Sequence, residues 1–390
     1  MRKILVVLLA AALLCPPVSL AENAVVDISG EGYDCMYYQC TLPDGRVVLT
    51  GWKGVPGNWQ DSRARILCLN PDMTVNWEYL DPAEGRCGFT KAVVLKDGRL
   101  GAVFENAPDQ DLEERKLKFF SPDGKPDGEE IDLTIPGTLV DGASASCLWL
   151  SSVSETLLVG WDGAEILRFG EGRCPFSGCG WMAETEDGLV FAGQSPREDA
   201  ALLVKIDFQG AVVWRTVIPA SELPGVEGSN LTDCMKTEDG GYLAQLVEYG
   251  SDISASLSLV RFGADGRLLW KNADAFERCP EMWLGGLAMY GGRIVAEMLE
   301  SGSETGMNAV STYLWMDGEG NWLAATESDP EKLAFPRLPR GKGADPAVSS
   351  VALVATRDGL WSLVSAEPQN VSPSEMLDGA DYCLVRVPEP

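Results

Sequence analysis

The chain of 390 residues contains no histidine. That absence removes Ser-His-Asp and Cys-His nucleophile systems, histidine general bases and every histidine-ligated metal site. Basic residues are scarce too: 31 Lys+Arg stand against 58 Asp+Glu, a formal charge of −27. A field of that sign repels DNA, RNA and anionic membrane surfaces, so no nucleic acid is expected as a partner. The cysteines include no CxxC and no adjacent pair, which leaves zinc and thioredoxin-type readings without support. Beyond the first twenty residues no stretch is long and apolar enough for a membrane helix. What is present is a hydrophobic content of 45%, enough for a packed core and incompatible with a disordered chain.

The N-terminus reads as a targeting segment. Met1, Arg2 and Lys3 form a short basic region, Ile4 to Leu14 is an apolar run, and Ser19, Leu20 and Ala21 place small residues where a signal peptidase reads. The organisation is therefore a secretory signal over 1–21 and one domain over 22–390, exported to the bacterial cell envelope or beyond. Leu14 before Cys15 argues against a lipid anchor. Cleavage after Ala21 takes the formal charge to −29 and leaves ten of eleven cysteines, an even number for a disulfide-permissive compartment. Cys174 and Cys179, bracketing a short loop, are the expected pair. Cys68, Cys234 and Cys383 lie in apolar strand patterns, where a buried thiol is expected.

The rest of the chain repeats itself. A short apolar run, an Asp-Gly turn and a second apolar run recur at Asp44-Gly45, Asp97-Gly98, Asp187-Gly188, Asp239-Gly240, Gly291-Gly292 and Asp358-Gly359, with a degenerate copy turning near Glu155. Such turns supply the positive φ that a tight hairpin requires. A second hairpin follows each one, as in 65–79, 116–133, 202–217, 257–272 and 313–326. Four short strands in roughly 50 residues read as one propeller blade. Seven units predict an all-β, seven-bladed β-propeller, with six or eight blades as alternatives. The third unit is short, with no clear fourth strand after 165–169. The seventh ends one strand early, and the lone strand at 24–29 is placed to complete it, closing the ring.

The segment from Asp207 through Gly210 to Trp214, with looser copies ending at Trp77, Trp270 and Trp322, resembles the PQQ-like repeats of quinoprotein and outer-membrane assembly propellers. The segment 239–246 is similar to repeats of exported, WD40-like bacterial propellers. The resemblance implies a fold, and fold does not imply function. Quinoprotein chemistry does not carry over, because those enzymes place a vicinal disulfide over the cofactor. No cofactor and no metal is therefore expected. The sialidase Asp-box is also absent, since Asp265 and Gly266 are adjacent where the box needs a residue between them.

Turns within hairpins share one rim of a propeller, and mid-blade and inter-blade connections share the other. The mid-blade connections at 53–62, 105–114, 193–200, 248–256, 300–309 and 366–381 are long, differ from one another and are rich in acid. Variable loops on a rigid scaffold are where binding usually sits, although acidic loops also serve solubility alone. Asp109 and Asp111, with Glu113 and Glu114, lack the spacing and central glycine of an EF-hand. Trp77, Trp214, Trp270 and Trp322 recur at one position and are expected between blades. Trp149, Trp181 and Trp283, placed at the start of innermost strands, and Trp52 and Trp59, flanking the first long connection, are the aromatic binding candidates. The irregular insert 325–347 carries the only basic cluster, Lys332, Arg337, Arg340 and Lys342. The leading expectation is a secreted, non-enzymatic propeller that binds a protein, peptide or glycan through its acidic long-loop face. The alternatives are a carboxylate-dependent glycoside hydrolase or lyase at the central pocket and an envelope-assembly scaffold.

Overall fold

A computed structural model describes residues 25–29, 34–55, 58–83, 85–109, 112–135, 137–152, 154–195, 197–221, 225–250, 255–278, 282–300, 311–328, 347–367 and 381–390. These form seven four-stranded antiparallel sheets. From the innermost strand outward, blade 1 is Cys35–Thr41, Val47–Val55, Asn58–Leu69 and Val75–Leu80; blade 2 is Cys87–Val94, Leu100–Asp109, Leu112–Phe120 and Ile131–Asp132. Blade 3 is Leu139–Ala143, Cys147–Ser151, Glu155–Gly160 and Glu165–Gly170; blade 4 is Cys179–Thr185, Gly188–Ser195, Ala200–Ile206 and Val212–Ile218. Blade 5 is Val226–Lys236, Tyr242–Gly250, Ala255–Phe262 and Leu268–Asn272; blade 6 is Met282–Tyr290, Arg293–Glu300, Ser311–Met316 and Trp322–Glu327. Blade 7 takes Ala347–Thr356, Gly359–Glu367 and Asp381–Arg386 from the end of the chain and Val25–Asp27 from its beginning. Val26 pairs with Leu384, and the Ile28 amide donates to the Tyr382 carbonyl at 3.0 Å, so the ring is closed by the strand expected to close it.

The core is divided rather than single. Seven apolar clusters fill the seven spaces between neighbouring blades. Because strand side chains alternate, each middle strand feeds two clusters. In blade 4, Leu202, Val204 and Ile206 face blade 3 while Ala201 and Leu203 face blade 5. The run Ala200–Ile206 is consequently buried at every position, which is why such strands read as unbroken apolar runs.

Two expectations are corrected. The strand missing from the third unit is its first, not its fourth: 165–169 lies in the fourth strand, and the turn near Glu155 joins the second and third. Leu139–Ala143 carries no hairpin signal because its turn is Ser144-Ala145-Ser146 rather than Asp-Gly. In blades 1 and 2 the mid-blade connections are not loops either. The strands keep pairing outward, to Val55 opposite Asn58 and Asp109 opposite Leu112, and so absorb most of both segments. The insert 329–346, with its basic cluster, lies outside the described residues.

Tryptophans of the outermost strands lock the blades together. A methyl group on Gly124 would come within 2.4 Å of the Trp77 ring, and one on Gly266 within 2.5 Å of Trp214. Trp270 approaches Gly320 in the same way. Each glycine has positive φ in the next blade's outer hairpin turn, so the absence of a side chain serves both the turn and the aromatic ring. Trp77 also donates Nε1–H to the Pro122 carbonyl at 3.1 Å.

Candidate functional site

The hairpin-turn rim is built from one repeated device. Several turn aspartates accept the amide two residues on: Asp44 from Arg46 and Asp97 from Arg99, both at 3.1 Å, and Asp239 from Gly241 at 3.2 Å. The blade 2–blade 3 boundary departs from this regularity. Blade 2's outermost strand is only two residues long, and Ile131 stands where blades 1, 4 and 5 carry tryptophan, meeting Gly163 of blade 3. The smaller side chain and the long connection 121–130 leave a groove of about 520 Å³ on this rim, within the usual range of ligand pockets, about 300–1,000 Å³.

Phe119 and Trp161 form its floor, edge to face at 6.3 Å. Trp161 is anchored by its Nε1–H to the Ser144 carbonyl at 2.8 Å. The channel-side wall ties three blades together. Lys96 of blade 2 lies 2.9 Å from the Glu184 carboxylate of blade 4, and Glu184 accepts the Ser146 amide and hydroxyl of blade 3 at 2.9 and 2.6 Å. Burial pushes the Glu184 carboxyl up, but the Ser146 and Lys96 contacts outweigh it and hold it below the usual carboxylate range. On the outer side, Arg99 lies 2.7 Å from Asp97, donates to the Asp127 carbonyl and lies 4.9 Å over the Phe119 ring. Its hydrogen bond lowers the Asp97 pKa. Glu130 pairs with Lys118 at 2.8 Å, and Lys118 also holds the buried Asp81 at 2.6 Å. Glu129 and Asp162 complete the lining. Asp162 accepts the Ala164 amide, and neither carboxylate has a Lys or Arg partner among the described residues. Together these groups can hold a ligand by shape and charge; no nucleophile–base pair lines the groove.

The residues singled out from the sequence are placed elsewhere. Trp52 is half-buried near the long-loop rim, edge to face with the exposed Tyr37 at 6.4 Å. Trp181 is half-buried between blades 4 and 5, near Tyr242. Trp149 belongs to the second strand of blade 3, not an innermost strand, and is 3% exposed against Phe176 and Phe191, which makes it a packing residue. Trp59, Trp283 and Asp109 fall in strands whose side chains at those positions lie outside the described set, and Asp111 lies outside the described residues. The long connections at 251–254, 301–310 and 368–380 lie outside them too. Near that rim the described carboxylates are largely tied to cations of the same fold: Asp34 to Arg65, Glu105 to Arg115 and Glu248 to Lys271. The Cys174–Cys179 disulfide is not formed. All nine described cysteines are thiols, with Cys174 and Cys179 packed in the blade 3–blade 4 cluster. Among the described residues no group of three or more His, Cys, Asp or Glu is arranged to hold a metal ion.

Sequence reasoning misses the groove, although a signal is present. The long connection 121–130 marks this boundary as irregular.

No family model matches the chain, and no curated protein matches it. Among solved structures it is similar to a protein of unknown function from Bacteroides caccae (14% identity, 74% of this chain and 95% of that one, TM-score 0.41). It is also similar to the N-terminal domain of Nup159 (11% identity, 95% and 98%, TM-score 0.42) and to the Neurospora crassa Pan2 WD40 domain (9% identity, 94% and 95%, TM-score 0.47).

Proposed function

We propose that this propeller is an exported, non-enzymatic binding protein that holds a protein, peptide or glycan partner on its rims, with the groove between blades 2 and 3 as a principal contact. The observation that carries the reading is the groove itself. On a rim of short hairpin turns, the blade 2–blade 3 boundary is opened by a short outer strand and lined with charge above an aromatic floor. Preformed concave sites on rigid scaffolds are the usual places for ligands. Trp52 beside the exposed Tyr37 supports a second contact on the opposite rim; the sequence candidates Trp59, Trp181, Trp283, Asp109 and Asp111 stay with that contact as proposals from the sequence alone. Export is supported by the segment 1–21, and intact mass of secreted material is expected to place the mature N-terminus at Glu22; full-length chain kept in the cytoplasm would defeat that part.

The binding test uses the immobilised mature chain and cell-envelope extract. Wild type is expected to retain a defined partner, and Ala145→Trp, which fills the groove, is expected to lose it. Equal retention by the two proteins defeats the assignment of the groove.

A further inference from the structure

We propose that the groove between blades 2 and 3 receives the side chain of an arginine or lysine from a partner peptide. This rests on the reading of the protein as a binding propeller and adds the chemistry of what it binds.

Charge around the groove is unevenly matched. The groove is lined by Lys96 and Arg99 and by Asp97, Glu129, Glu130 and Asp162. Each cation at the site is already committed: Lys96 to Glu184, Arg99 to Asp97 and the Asp127 carbonyl, and the neighbouring Lys118 to Asp81 and Glu130. The carboxylates left over are Glu129 on one wall and Asp162 on the other, both exposed and without a cationic partner among the described residues. An anionic ligand would have to compete with Glu184 for Lys96 or with Asp97 for Arg99. A cationic side chain meets two carboxylates and displaces nothing. Between the walls, Leu95, Ile131, Phe119 and Trp161 offer apolar surface, which suits the hydrocarbon stem of lysine or arginine while its charged head stays at the mouth. Arg99 over Phe119 shows the same guanidinium–aromatic contact already made by the fold's own residue.

With a formal charge of −27, any basic peptide is attracted over a distance, so the test must separate the groove from the overall field. The probe is a short glycine-spaced peptide with two arginines, and its control is the twin carrying citrulline, which keeps the shape and loses the charge. Binding is measured calorimetrically at two salt concentrations with wild type, Glu129→Gln/Asp162→Asn and Glu186→Gln/Glu238→Gln. The last variant removes the same charge from exposed turns of blades 4 and 5. The expected result is arginine-dependent binding, weakened about tenfold by Glu129→Gln/Asp162→Asn and little by Glu186→Gln/Glu238→Gln. Equal weakening by both variants, or equal binding of the citrulline peptide, overturns the proposal in favour of the general field or of shape alone. If the arginine peptide fails to bind while Ala145→Trp still abolishes partner retention, the cationic side chain is refuted and the binding role stands. If Ala145→Trp changes nothing either, both fall.

Discussion

Gly266→Ala tests the blade lock at a place where its contributions separate. Gly266 has φ +77°, and a methyl group there would meet the Trp214 ring at 2.5 Å. The left-handed backbone costs an alanine about 1–2 kcal/mol, and forcing a methyl into an occupied contact costs about 1–3 kcal/mol more, so the variant is expected to lose about 2–5 kcal/mol. Gly98 provides the reference: its φ is +87° and nothing lies within 4 Å of the added methyl, so Gly98→Ala carries only the backbone cost of about 1–2 kcal/mol. In a Trp214→Leu background the clash is relieved, and Gly266→Ala is expected to fall to the same value. The assay is urea unfolding followed by far-ultraviolet circular dichroism, which does not depend on the tryptophan removed, with a constant slope required before midpoints are compared. If Gly266→Ala costs no more than Gly98→Ala, or the Trp214→Leu background leaves its cost unchanged, the ring–glycine contact does not hold blades 4 and 5 together.

Three further outcomes are expected. Lys118→Met leaves Asp81, 1% exposed, without its cation and is expected to cost about 3–5 kcal/mol, with much of that recovered by adding Asp81→Asn; chemical denaturation of the two variants checks it. Glu297 is fully buried and accepts the Ser362 and Ser350 hydroxyls of the neighbouring blade, and burial raises its pKa. A carboxyl raised in the folded state contributes stability that is present below the ordinary carboxylate range and is lost as pH rises through the raised value. Glu297→Gln should therefore gain on wild type as pH rises above that range, and parallel stability–pH curves would refute the assignment. Burial pushes the Cys40 thiol up to about 12 and Cys68, Cys87 and Cys147 to about 11. Since the thiolate is the reactive form, these four should react with a thiol reagent at pH 8 only on unfolding; prompt native labelling of any of them, located by mass spectrometry, would refute the packing described.

Repeats make the architecture legible in the chain itself. The turn chemistry at Asp44-Gly45 and its successors needs positive φ wherever it occurs, and a strand buried on both faces has to be apolar throughout, so the blade pattern and ring closure follow from local pattern, while the structure settles a count left between six and eight at seven. Blade 3 is misread because its first strand, Leu139–Ala143, meets a serine-containing turn and carries no tag of that kind. Trp149 is misplaced for a related reason: one strand of a four-stranded unit cannot be told from the next by composition. The candidate site is less legible than the fold. Its floor, walls and charges come from segments around Lys96, Phe119, Glu129, Ser146, Trp161 and Glu184, which are brought together only by the ring.

A ring of β-blades without histidine chemistry and with a large excess of acid is written in the chain, because turns, alternation and composition are local or additive properties. Which carboxylates are already paired and which are left facing a groove emerges only in the folded ring. That depends on distances across blade boundaries, where Ile131 stands in the place that Trp77, Trp214 and Trp270 take in blades 1, 4 and 5 and a space opens that no single repeat contains.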